Sequence, residues 1–152
     1  MTTRLVRLPV GIAAGVALLL GLAACSDTEV PTAEVGDCIE TIGLGSVSEL
    51  PTVDCDEPHD AQVIGVFDHD GDDFPGDAAI QEEAAARCIE LFEEFVGAPF
   101  TETSLSPSSV NPTEQTWNEA DDRETICFAT LDDGSQLTES IEDNAEAFPL
   151  GG

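Results

Sequence analysis

Four cysteines spread along a short stretch constrain this chain more than any other feature. Cys38, Cys55, Cys88 and Cys127 are spaced too widely for the short ligand pairs of a zinc site. In an exported chain, an even set of this kind is a disulfide framework with three possible connectivities. The start of the chain predicts export. Arg4 and Arg7 precede an almost wholly apolar run from Leu8 to Leu22, and Ala23 and Ala24 lead into a fifth cysteine, Cys25. That order of basic, apolar and small residues is a secretory signal, and the run falls short of the ~20 residues of a comfortable membrane span. Leu22-Ala23-Ala24-Cys25 has the form of a bacterial lipobox, in which the cysteine is acylated and becomes the new N-terminus. No Arg-Arg pair precedes the apolar run, which favours the general secretory route. Residues 1–24 are therefore read as a lipoprotein signal peptide and Cys25 as the lipidation site. The expected location is the extracytoplasmic face of the cell membrane, held there by the lipid.

Removing residues 1–24 also sharpens the charge. The whole chain carries −28, and every one of its 32 carboxylates follows residue 26. Only Arg87 and Arg123 remain on the basic side, so the mature part has a formal charge of 2 − 32 = −30. Such a surface repels nucleic acid and anionic lipid headgroups. It matches either a solvated acidic shell, as in proteins soluble at high salt, or attraction to cations or a basic partner.

Residues 25–34 are polar and read as a tether. Residues 35–134 have the composition of one domain of about 100 residues, near the usual size for a single core. Residues 135–152 are acidic and nearly featureless, which predicts a disordered tail. Within the domain, Val35–Ile39 is a possible first strand and Gly43–Ser46 a loop. In Asp54–Phe67, Pro58 sets a bend, and an apolar strand follows it. Ala61, Val63, Gly65 and Phe67 fall on one side of that strand and Gln62, Ile64, Val66 and Asp68 on the other. Apolar residues on both sides predict a central strand covered on each face.

One helix stands out, about Asp77 to Val96. Ile80, Ala84, Cys88, Leu91, Phe92, Phe95 and Val96 recur at three- and four-residue steps and form one apolar stripe. Asp77 is placed to cap its start, Gly97 to end it and Pro99 to prevent its resumption. Glu83 stands one turn before Arg87, as a helical ion pair requires. Ser104–Pro112 is a weak strand candidate, its Ser104–Ser109 part reading as loop, and Glu124–Leu131 is a stronger one. In the latter, Cys127 shares a face with Ala129. Cys88 lies in the buried stripe, so its partner comes from the sheet beneath the helix. This predicts Cys88–Cys127 and leaves Cys38–Cys55. The fold class is α+β, a small antiparallel sheet with one long helix packed on it and two disulfides.

Gly36-Asp37-Cys38, Val53-Asp54-Cys55 with Pro58-His59-Asp60-Ala61, and Cys88 in an acidic, alanine-rich helix resemble the septum-formation domain family of actinobacterial envelope proteins. Pro112-Thr113-Glu114-Gln115-Thr116-Trp117 and Arg123 ahead of Cys127 extend the resemblance over most of residues 35–134. Two positions depart from the pattern. Gln62 stands where a glutamate is expected, and Asn118–Asp122 lacks the glycine expected there. The resemblance implies an exported, disulfide-bonded domain of the cell envelope, associated with septum formation.

The side chains with chemical potential are few. His59 is expected to hydrogen-bond a turn carbonyl or carboxylate, with a pocket role as the sharper reading. Trp117 and Arg123 are candidate binding residues, able to stack on each other. Asp68, Asp70 and Asp72 alternate as in half a calcium loop, but Asp73 and Ala79 occupy the places of its glycine and bidentate acid. No Gly-rich phosphate loop, Gly-x-Ser-x-Gly elbow or His-Glu-x-x-His helix is present. The expectation is a non-enzymatic envelope module without a cofactor that binds an envelope protein or wall component. The alternative is a lipoprotein that binds a small ligand or divalent cation.

Overall fold

The computed structural model describes residues 28–42 and 50–151. The expected signal peptide, the acylated Cys25 and the Gly43–Ser46 loop lie outside them. Five strands form one antiparallel sheet: β1 (Cys38–Ile39), β2 (Thr52–Val53), β3 (Ala61–Asp68), β4 (Leu105–Val110) and β5 (Glu124–Leu131). Their order across the sheet is β2-β1-β3-β5-β4. The two eight-residue strands, β3 and β5, lie side by side at its centre. The long helix α1 (Asp77–Val96) crosses one face, and a short helix α2 (Glu114–Ala120) joins β4 to β5.

Burial along α1 falls on Ile80, Ala84, Cys88, Phe92 and Val96, a strict four-residue step that keeps one stripe against the sheet. Gly97 ends the helix in the left-handed conformation (φ 86°), its N–H bonded to Glu93 O. At the other end the cap is Gly76, not Asp77, which is the first helical residue and makes no side-chain cap bond. The expected Glu83–Arg87 pair is also replaced. Arg87 pairs with Glu90 at 3.2 Å, because Glu83 turns across to His69.

The central strand is covered on both faces, but its sidedness departs from simple alternation. A bulge between Val63 and Gly65 inserts Ile64 out of step with β5. Beyond it the faces exchange. Ile64 and Phe67 join the core under α1, whereas Ala61, Val63 and Val66 pack with Ile39, Ile126 and Phe128 on the opposite face. In β5, Cys127 and Ala129 face the helix as expected.

The disulfides are Cys38–Cys55 and Cys88–Cys127, with Cα atoms 5.3 and 5.4 Å apart. The first ties β1 to the chain leaving β2, and the second pins α1 to β5. Their sequence separations are 17 and 39 residues. A chain-entropy treatment gives about 3 and about 4 kcal/mol for loops of those lengths.

The acidic C-terminal segment corrects the expectation of a disordered tail over 135–152. Leu137, Ile141 and Phe148 are buried and belong to the core beneath α1. Backbone bonds hold the segment as well. Leu137 exchanges N–H···O bonds with His59, Asp143 N–H bonds Phe95 O, and Ser104 N–H bonds Phe148 O. Three apolar residues among many acids are a faint sequence signal, yet they cover the end of the core that the sheet leaves open. The structural domain therefore runs through this segment instead of ending at 134. Of Ser104–Ser109, expected as loop, all but Ser104 lies in edge strand β4, where Pro107 is tolerated because its missing N–H faces away from β5.

Candidate functional site

His59 is fully buried, which removes it as surface for a ligand. Its Nδ1–H donates to Glu57 O at 2.7 Å, the turn-carbonyl bond expected from the sequence. Its Nε2 is buried and has no hydrogen-bond partner among the described residues. With its backbone paired to Leu137, His59 fastens the C-terminal segment to the start of β3.

Gln62 completes the same junction. Its Nε2 donates to Gly36 O at 3.0 Å and Ser140 Oγ at 3.1 Å, while Oε1 accepts from Ile141 N–H at 2.8 Å. An ionised glutamate accepts only, so it has no proton to give Gly36 O. The amide at this position matches a site that needs a donor and an acceptor together.

Trp117 and Arg123 are brought together, but inward. Trp117 is 1% exposed and donates Nε1–H to Asp72 O at 3.0 Å. Arg123 lies over its ring and donates to Gly71 O and Trp117 O, while its other end pairs with Asp121 at 3.0 Å. These bonds engage both side chains in holding the Asp68–Asp73 turn, with Trp117 buried and Arg123 partly exposed. Asp121 sits at φ 55° as the C-terminal cap of α2. It takes a left-handed conformation that glycine adopts at less cost. Among the described residues, no group of three or more His, Cys, Asp or Glu side chains is placed to hold a metal ion. Asp68, Asp70 and Asp72 do not converge.

A relay that sequence reasoning missed runs through His69, which is 4% exposed. Its Nδ1 meets Glu83 Oε2 at 2.8 Å and its Nε2 meets Thr125 Oγ1 at 2.8 Å. The Thr125 hydroxyl also donates to Asn111 Oδ1 at 3.0 Å, which sets it between the imidazole and the carboxamide. Carboxylate, imidazole and hydroxyl stand in the order of a nucleophilic triad. Thr125, however, is fully buried with its proton engaged, so the hydroxyl offers no approach to a substrate. The relay instead ties α1, β3, β5 and the β4–α2 connection together. Its sequence signal is slight, since Glu83 and Thr125 lie far from His69 in the chain.

Open concavities lie elsewhere, one of about 500 Å³ beside the Cys38–Cys55 bridge and lined in part by Asp37, Asp54 and Glu57. A groove of about 340 Å³ runs between α1 and edge strand β4, walled by Gln81, Ala85 and Ile89 on the helix and Pro107 and Ser109 on the strand, with Asn111 at one end. No charged residue lines it.

The septum-formation family model matches residues 14–103 and 36–147, most of the chain. This chain belongs to the septum-formation family. No curated protein and no solved structure matches it. For a septum-formation domain, the five-stranded antiparallel sheet, the long helix and the two disulfides define the scaffold that carries the groove. Among the described residues, no helix is long and apolar enough to cross a membrane.

Proposed function

We propose that this chain is a membrane-anchored septum-formation module that works outside the cytoplasm by binding another envelope component, not by catalysis. One observation carries the reading. The side chains a reaction would draw on, His59, His69 and Thr125, are buried and committed to the fold, while the open groove between α1 and β4 is lined by neutral residues. The apolar run ending in Leu22-Ala23-Ala24-Cys25 supports lipid anchoring at the outer face of the membrane. Family membership supports a role in division. The partner is an envelope protein or a cell-wall component, and the lipid concentrates the domain beside it.

The test is cross-linking in dividing cells that express the tagged, anchored chain, beside a Cys25→Ala form. The proposal predicts one envelope component recovered reproducibly with the anchored chain, and much less with Cys25→Ala. Recovery of no such component in repeated trials overturns it.

A further inference from the structure

We infer that the groove between α1 and β4 takes an extended, lysine- or arginine-bearing segment of a partner protein, which adds as a strand to the free edge of β4. The inference rests on the reading of the domain as a binding module and names where the partner sits.

The edge comes first. β4 is the last strand of the sheet, and among the described residues no strand lies on the outer side of Leu105–Val110, the Thr103–Pro149 bridge of the C-terminal segment ending just before it. Ser104 and Asp132 are opposed in the same register and bonded, Asp132 N–H to Ser104 O at 3.0 Å. In an antiparallel ladder such pairs recur every second residue. Ser106, Ser108 and Val110 therefore bond β5, and the carbonyls of Leu105, Pro107 and Ser109 point outward. Of the three matching donors, Pro107 has no N–H and Leu105 N–H is directed to Thr103 Oγ1. Only the Ser109 N–H faces out beside three acceptors. An exposed edge is a template for another strand, and one this rich in acceptors favours a segment rich in donors.

The wall opposite agrees. Ala85 and Ile89 present small and apolar surface on the exposed side of α1, and Ile89 is one of the few exposed large hydrophobic residues described. Gln81 and Asn111 stand in the lining, and neither carboxamide nitrogen has a protein partner among the described residues. Carboxamides both donate and accept, as a peptide backbone requires.

Charge selects the occupant. The lining is neutral on a chain with 32 carboxylates, but the helix carries acids just beyond it, Glu82 three residues before Ala85 and Glu93 four after Ile89. Positions so spaced are neighbours on a helix. A segment with a neutral body and basic flanks fits this floor and these ends, and its binding weakens as salt screens the exposed charges.

The experiment titrates the isotope-labelled full chain, in detergent with both disulfides intact, with Lys-Thr-Val-Thr-Val-Thr-Val-Thr-Lys and with its counterpart ending in glutamates. The lysine peptide is expected to shift amide signals of Gln81–Ile89 and Leu105–Asn111, more weakly at high salt, and the glutamate peptide to leave them unmoved. Ala85→Arg, at an exposed helix position, fills the groove with like charge, and Ser109→Pro removes the outward N–H. Each is expected to weaken binding about tenfold or more without changing the unfolding midpoint. Absent shifts, shifts spread over α2 and the acidic turns, or equal binding of the glutamate peptide overturn the inference. So do the same shifts on concentrating the chain without peptide, which would make a second copy the occupant. A partner still cross-linked to the Ala85→Arg chain in cells removes the groove but leaves the binding function standing.

Discussion

The guanidinium carbon of Arg123 lies 3.8 Å from the centre of the Trp117 ring, and both side chains reach the backbone of one acidic turn. The sole tryptophan of the chain is thus clamped between its own cation and the turn that enters α1. Arg123→Lys keeps the charge but loses the planar stack and the forked donors to Gly71 O and Trp117 O. Its expected cost is about 2 kcal/mol. Denaturant unfolding followed by Trp117 fluorescence measures it, with an unchanged slope marking loss of stability alone.

Gly65 lies directly beneath Leu91. A Cβ built on Gly65 would stand 2.7 Å from Leu91 Cδ1 and 3.1 Å from its Cβ, so the close approach of β3 to α1 requires glycine here. Gly65→Val is expected to destabilise by about 2 kcal/mol, the usual range for overpacking. Leu91→Ala in the same chain should recover part of that loss. A double-mutant cycle in urea reads the coupling, and additive effects would show that the contact does not limit the packing.

Removing residues 135–152 tests whether the acidic segment belongs to the fold. Ile141→Ala alone is expected to cost about 2–4 kcal/mol, because the side chain is fully buried. The full truncation also frees the His59 and Phe95 backbone groups and should abolish cooperative unfolding. Hydrogen exchange at His59 provides the local reading in the truncated chain, and exchange at His59 and Leu137 in Ile141→Ala.

Glu124 supplies a pH dependence. Burial first, then Asp68 opposite it across the strands and Asp122, raise its carboxyl above the ordinary range. A carboxyl raised in the folded state destabilises that state wherever it is ionised, and the penalty disappears as pH falls through the folded value. Glu124→Gln is therefore expected to stabilise at neutral pH by about 0.5 kcal/mol, the scale of like charges opposed across a sheet. At acid pH, where the carboxyl is protonated, the gain vanishes. Midpoints measured across pH check both halves.

Much of this architecture was legible in the chain because its signals are periodic. The stripe from Ile80 to Val96 marked the helix, and the face shared by Cys127 and Ala129 identified the partner of Cys88. Single-residue events were not legible. The bulge at Ile64 exchanges faces through one unpaired residue, which no alternation encodes. Leu137, Ile141 and Phe148 contribute by filling one gap in three dimensions, and their acidic neighbours hide them. The residues with the most chemical promise, His59, Trp117 and Arg123, make their bonds within the fold. The groove was hidden because alanine, serine and proline residues announce no chemistry until the edge of β4 and the flank of α1 meet.

The most direct measurement is the intact mass of the native protein, taken before and after reduction. The account predicts a chain beginning at Cys25 and carrying a lipid, with no free thiol, that gains four hydrogens when its two bridges are reduced. A mature chain with no lipid mass and four alkylatable thiols would contradict it.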